Sequence, residues 1–412
     1  MNHPNRLALP SLLLLLSLSA CNNEEKKDSP NSTQAAIKGT YQYDADFVRQ
    51  HSRDAIELSN ADSSERVLLS GEYQGRVMTS TARGDSGISF GWINYDLLGS
   101  GQKKKQFNAI GGEERFWMGP EGGQYSIYFK AKDSFTIGNW QVPPLVDTIS
   151  YDIVSASAGK AVFSKKASIV NYSGTVFDLD IERSISLLTR SDLQHELKAS
   201  IPDGIHAVGY STENVLMNAG NTDWKKENGL LSIWLLGMFT PTPKTVVIIP
   251  FRPIPNARSY ITDNYFGPVP AERLQVADSV LYFTCDGKYR SKIGLSPRVA
   301  KPIAAGFDFA NNVLTIVIPQ IVEDGIYVNS KWELQKEPYK GDMINSYNDG
   351  PLADGGQLGP FFEIESSSPA KELKKGEKLQ YRQVTCHLQG DYESLRSIAQ
   401  QLLGVDLDKI KR

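Results

Sequence analysis

Asn108-Ala-Ile-Gly-Gly-Glu-Glu-Arg-Phe-Trp-Met-Gly-Pro-Glu-Gly-Gly-Gln-Tyr-Ser-Ile-Tyr-Phe129 is the stretch from which the fold is read. It sets Glu113, Glu114, Arg115, Phe116, Trp117 and Glu121 between two glycine pairs. Glycine pairs let a backbone turn with positive φ and approach another group closely, and Pro120 fixes one more turn. Tyr125-Ser-Ile-Tyr-Phe129 has the aromatic and β-branched content of a strand. The expectation is therefore a rigid loop that opens into a strand. Such a loop offers carboxylate, guanidinium and indole for holding a polyhydroxylated ligand. The same residues also suit a structural turn, with Arg115 paired to a glutamate and Trp117 in the core.

Working outward, strand follows strand. Ile88, Phe90 and Trp92 alternate with small or polar residues, and Val246 to Ile249 and Leu314 to Ile318 are short apolar runs. Turn-forming clusters (Asn218 to Asn221, Cys285 to Gly287, Ala310 to Asn312, Asp349 to Pro351) separate such runs, which predicts an all-β sandwich or barrel. One helix is expected to close the chain. Asp391 suits its N-cap, Leu395, Ile398, Ala399, Leu402 and Leu403 follow helical spacing, and Gly404 suits its end. A second, short helix is expected over Ser191 to Leu197.

Two strands carry charges that need explaining. From Thr175 to Leu188, Phe177, Leu179, Ile181, Arg183, Ile185 and Leu187 share one face. Arg183 must then be paired, line a cleft, or escape through a bulge. In Phe361-Phe-Glu-Ile-Glu365, Glu363 and Glu365 share the face opposite Phe362 and Ile364. Their Cα atoms would lie about 6.6–7 Å apart. Two such carboxylates either bracket a sugar ring or form the solvated side of an amphipathic strand.

The N-terminus reads as an address. Arg6, the run Leu12 to Leu16 and Leu18-Ser-Ala-Cys21 make a signal peptide over residues 1–20, with an apolar run too short to span a bilayer. Leu-Ser-Ala-Cys also matches the bacterial lipobox, so Cys21 is expected to carry lipid. Residues 21–38 are polar and are expected to form a tether, leaving 39–412 as a single β-sandwich domain. The expected location is the cell envelope, lipid-anchored to the outer membrane on its periplasmic or outer face. The formal net charge of −3 becomes −4 once Arg6 is removed, which argues against a nucleic-acid partner. Cys285 and Cys386 suit either a disulfide or two buried thiols.

No P-loop, His-Glu-x-x-His, Cys-x-x-Cys or Gly-x-Ser-x-Gly occurs. His51, His195, His206 and His387 are too dispersed to suggest a metal site, and no metal or cofactor is expected. His206, between a turn and the strand leading to Glu213-Asn214, is the histidine of most interest.

The stretch 108–123, together with Glu213-Asn-Val-Leu-Met-Asn218, Asn228-Gly-Leu-Leu-Ser-Ile-Trp-Leu-Leu-Gly-Met-Phe239, Gly287-Lys-Tyr-Arg-Ser-Lys-Ile-Gly-Leu-Ser-Pro297 and Phe362-Glu-Ile-Glu-Ser-Ser-Ser-Pro-Ala-Lys-Glu-Leu373, resembles an uncharacterised bacterial lipoprotein family. That family looks related to the galactose mutarotase-like superfamily, which implies a large antiparallel β-sandwich with a sugar site on its concave face. Glu365, then Ser-Ser-Ser-Pro and Leu-Lys-Lys-Gly-Glu377, is similar to the aldose 1-epimerase ending, which implies Glu365 as general base. The epimerase histidine motif (Asn-His, then Phe-Asn-Leu) is absent.

The expected partner is a carbohydrate. If the protein is an enzyme, Glu365, Glu363 and His206 are its candidate catalysts, for an epimerase-like or a glycoside-acting reaction. The candidate ligand contacts are Glu113, Arg115, Trp117, Glu121, Arg183, Asn214 and Lys292. The alternative is a lipoprotein that binds sugar without turnover, or a structural one.

Overall fold

A computed structural model describes residues 36–322, 324–352 and 354–410. The signal peptide, Cys21 and all but the last three residues of the tether lie outside the described residues. The apolar–polar alternation becomes three antiparallel sheets. The largest runs Leu274–Val276, Val280–Thr284, Thr245–Pro250, Ala304–Asp308, Val313–Pro319, Lys378–Gln389, His206–Asn218, Val176–Leu187, Lys160–Val170, Asp152–Ala156. A six-stranded sheet runs Ile261–Thr262, Ser291–Leu295, Ile344–Asn348, Phe362–Ser367, Ser232–Phe239, Arg115–Gly119. Ala55–Ser59, Arg66–Ser70 and Arg76–Thr81 make the third.

The two large sheets face one another. A Cβ on Gly306 of the ten-stranded sheet would meet Phe362 at 3.2 Å and Ile364 at 3.8 Å, so the sheets touch through these residues. Tyr381, Gln383, Thr385 and His387 point inward from one long strand and Arg183 from another, while Val384, Cys386 and Leu388 face the other way. That second face is covered by the helices Arg190–Leu197 and Tyr392–Leu403. Asp391 caps the latter by accepting from Ser394 N, and Gly404 ends it at φ 71°, as expected. The former begins in a capping box between Thr189 and Asp192.

Three sequence readings change. The strand lies not at 125–129 but within the expected loop, where Arg115–Gly119 pairs with Ser232–Phe239. The backbone N–H groups of Ser126 and Ile127 donate to Gly123 O (3.0 Å) and Pro120 O (3.3 Å), and that of Tyr128 to Ser126 Oγ (3.0 Å). With those donors used inside the turn, no ladder forms there. Ile88 to Trp92 is extended, but its N–H groups are shared among several segments: Ser89 N donates to Gly39 O, Phe90 N to Ser80 O and Trp92 N to Met238 O. The result is isolated bridges. A helix not read from the sequence, Tyr41–His51, buries Tyr41, Ala45 and Val48. Cys285 and Cys386 are both buried free thiols, and burial pushes both thiol pKa values up.

Candidate functional site

Register decides which side chains share the face of the six-stranded sheet turned away from its larger partner. Phe362 and Ile364 point toward that partner, so Glu363 and Glu365 point away. Glu365 lies opposite Leu236 and Asn345, and Leu236 lies opposite Arg115. Glu363 lies opposite Tyr347, itself opposite Lys292, and Trp117 is level with Trp234. One sheet face therefore carries Arg115, Trp117, Trp234, Lys292, Tyr347, Glu363 and Glu365.

Glu365 is the centre of this group and is 1% exposed. Its Oε2 accepts from Lys292 Nζ at 2.9 Å and from Trp234 Nε1 at 3.0 Å, whereas Oε1 has no hydrogen-bond partner within the protein. Lys292 Nζ also stands 4.9 Å from the Trp234 ring and 5.6 Å from that of Tyr265. Glu365 and Glu121 raise its pKa, outweighing the burial that lowers it. Tyr265 donates to Asp342 Oδ2 at 2.5 Å and accepts from Asn345 Nδ2 at 3.1 Å. Glu363 is committed elsewhere: Arg115 Nη2 donates to it, and burial pushes its carboxyl up against the pull of that guanidinium. Arg115 lies over Trp117 at 4.9 Å, with Nε and Nη1 unpartnered in the protein.

The glycine-framed turn has a definite purpose in this arrangement. A Cβ on Gly122 would come within 2.2 Å of Lys331 O, and Gly123, at φ 83°, would meet the Gln335 amide within 2.6 Å. Two glycines thus let the turn close on the loop 329–335, where Glu121 N donates to Ser330 Oγ and Gln124 exchanges hydrogen bonds with the Gln335 backbone. That contact sets Glu121 beside the indoles of Trp332 and Trp140, with Lys292 and Glu365 as its charged neighbours. Burial first, then Glu365, raises the Glu121 carboxyl from 4.5 to about 7, against the lowering effect of Lys292. Glu121, Trp140, Trp332, Tyr265 and Lys292 are each partly exposed and form the open rim. Trp140 and Trp332 stack at 6.0 Å, and Phe107 meets both Trp117 and Trp140 edge-on.

Buried polar atoms are normally hydrogen-bonded. Here Glu365 Oε1, two nitrogens of Arg115 and the indole Nε1 of Trp117 have no partner within the protein. Together they are one acceptor and several donors buried amid aromatic side chains. A cleft of about 1120 Å³ opens elsewhere, lined by Phe90, Tyr95, Phe239, Thr315 and Phe362 among others. None of the unpartnered atoms belongs to its lining, so the chemistry points to the carboxylate cluster instead. Among the described residues, no group of three His, Cys, Asp or Glu side chains is placed to hold a metal ion.

Of the residues singled out in the sequence, Arg115, Trp117, Glu121, Lys292, Glu363 and Glu365 share this region. Arg183, Asn214 and Glu113 do not: they lie between the two large sheets. Arg183 donates from Nε to Gly75 O, from Nη1 to Asn214 Oδ1 and from Nη2 to Glu114 Oε1, leaving no nitrogen without a partner. Glu113 Oε1 lies 2.7 Å from His387 Nε2 and accepts from Ser80 Oγ. His206 is exposed at the start of its strand, opposite Gln389, and is not brought to the site. Trp117 is 4% exposed with Arg115 over its ring, which makes it floor rather than stacking platform. Trp140, Trp234, Tyr265 and Trp332 went unread. The Ser232–Phe239 run is apolar almost throughout, so its alternation could not show which face Trp234 takes.

A family model described as a family of unknown function (DUF6786) matches residues 39–412. No curated protein matches the chain in sequence. Solved structures similar to it include a galactose mutarotase-like protein from Lactobacillus casei ATCC 334, at 11% identity and TM-score 0.48, covering 81% of this chain and 99% of that one. A protein from Synechocystis sp. PCC 6803 has 11% identity and TM-score 0.49, covering 82% and 97%. A galactose mutarotase related enzyme from Lactobacillus acidophilus has 10% identity and TM-score 0.44, covering 82% and 98%.

Proposed function

The chain belongs to the DUF6786 family of unknown function, and we propose that it binds a sugar on the outer face of the six-stranded sheet. In this reading Glu365 is the reactive carboxylate, the base on the anomeric hydroxyl of an epimerase-like reaction. The observation that carries the reading is the asymmetry of Glu365. One oxygen is held by Lys292 and Trp234, and the other is buried without a protein partner. A base must lie within hydrogen-bond reach of the proton it takes, and Oε1 has that capacity to spare. Trp140, Trp332 and Tyr265 suit the apolar faces of a pyranose, and the unpartnered nitrogens suit its hydroxyls.

Binding without turnover is the second reading, and one observation favours it: among the described residues, no histidine stands at this face. His51, His195 and His206 lie elsewhere, and His387 is engaged by Glu113 and Thr315 between the sheets. The test is calorimetry of parent and Glu365→Gln against a panel of mono- and oligosaccharides. Binding by the parent, largely kept in Glu365→Gln, supports the site. A parent that binds no sugar of a broad panel removes it.

The same proposal places the protein in the cell envelope, held by lipid on Cys21 through the polar tether. Cys21→Ser should leave the membrane fraction, and a variant that still fractionates as the parent does contradicts the anchor.

A further inference from the structure

We propose that Glu121 is the acid–base partner of Glu365, handing a proton to the ring oxygen of a reducing sugar while Glu365 takes the proton of the anomeric hydroxyl. This inference rests on the sugar site proposed above and assigns the role for which no histidine is at hand among the described residues.

The geometry singles out Glu121 among the carboxyl groups of the region. Glu363 is tied to Arg115 and Asp342 to Tyr265, so neither is free to approach a substrate. Glu121 has no such tie to a cation, is partly exposed, and has Lys292 and Glu365 as its charged neighbours. The turn that carries it is fixed, through Gly122, Gly123 and the Ser330 contact, to the loop bearing Trp332. The hydrogen-bond partners of Glu121 are the neutral indoles of Trp332 and Trp140 rather than a cation, which leaves its carboxyl able to hold or release a proton. The titratable groups facing it are Lys292 and Glu365 from the sheet and Tyr128 from its own loop. Among them its carboxyl titrates at about 7, so acid and conjugate base are both populated near neutral pH.

The step balances as follows. Glu365 accepts the O1 proton and the electrons of that O–H bond form the C1=O1 carbonyl. The C1–O5 bond breaks and its electron pair takes the Glu121 proton, giving the open-chain aldehyde. After rotation about C1–C2, O5 adds to the other face of C1. Its proton returns to Glu121, and Glu365 returns one to O1. Both carboxyl groups end as they began, and Lys292, a charged neighbour of both, offsets the negative charge that moves from one to the other.

The experiment measures anomer exchange by polarimetry or magnetisation transfer across a panel of reducing sugars. Parent, Glu121→Gln, Glu121→Asp and Glu365→Gln are compared from pH 5 to 9, with the uncatalysed rate subtracted. Glu121→Gln is expected to lose about a hundredfold or more in rate while still binding sugar, and Glu121→Asp to recover part of it. The parent rate should fall as pH rises through about 7, and that fall should be missing from the residual rate of Glu121→Gln. If Glu365→Gln is inactive while Glu121→Gln keeps the parent rate and pH profile, this inference is overturned and the role of Glu365 stands. A parent that binds sugar yet exchanges no anomers overturns this inference and leaves a binding site. Absence of sugar binding overturns both.

Discussion

Lys292 Nζ reaches 2.9 Å from Glu365 Oε2 although a whole strand, Ile344–Asn348, separates their two strands. The ammonium crosses the sheet face to get there, resting near the Trp234 and Tyr265 rings on the way. A buried carboxylate normally requires such a partner. By occupying one oxygen, Lys292 also fixes which oxygen is left for a ligand. The site's chemistry follows from this pairing more than from the glutamate alone.

Arg183 gives the first prediction, a structural one. Its ion pair with Glu114 is nearly inaccessible to water at both ends, 0% and 1%. Arg183→Met should cost about 3–5 kcal/mol in urea unfolding, because Glu114 is left buried without its cation. Changing Glu114 to Leu as well should recover part of the loss. A single variant as stable as the parent would show that the layer between the sheets is wetter than described.

Trp117 and Trp332 should separate stability from binding. Trp117 is floor, and Trp117→Ala is expected to lose about 3–5 kcal/mol of stability. Trp332 is partly exposed on the rim, so Trp332→Ala should unfold close to the parent while weakening sugar binding about tenfold, the equivalent of about 1.4 kcal/mol. Calorimetry and thermal unfolding of the two variants check this together. Equal effects on both quantities would erase the distinction between floor and rim.

The titration of Glu121 sets a direction for stability against pH. Its carboxyl is raised from 4.5 to about 7 in the folded chain, which therefore holds the proton more tightly than the unfolded chain does. The resulting stabilisation is complete below about pH 4.5 and is lost as pH rises through about 7. Urea midpoints of the parent should fall across that window more steeply than those of Glu121→Gln. Parallel curves would mean that Glu121 is not held as described.

Much of this could be read in the chain, and the misreadings have physical causes. Alternation placed Arg183 among apolar neighbours and Glu363 with Glu365 on one face, because the period of a strand is two and nothing in packing overrides it. The Asp391 cap and Gly404 stop marked the last helix for equally local reasons. The exchange of loop and strand around Pro120 was not local. Whether Arg115–Gly119 or Tyr125 to Phe129 joins a sheet depends on which backbone groups find Ser232–Phe239, more than a hundred residues away in sequence. The same distance hid the convergence of Trp140, Trp332 and Tyr265, each on its own loop, over a sheet face they help to cover. Arg183 and Asn214 looked like ligand contacts since a buried guanidinium needs partners, and the chain itself supplies all of them.

Glu365 as the reactive carboxylate of a sugar site is tested by anomer exchange in the parent and in Glu365→Gln under saturating sugar. The substitution keeps the shape of the side chain and its place beside Lys292 and Trp234 while removing the base. Catalysed exchange is expected in the parent, with a loss of about a hundredfold or more in Glu365→Gln and binding largely retained. Exchange in Glu365→Gln at the parent rate would contradict it.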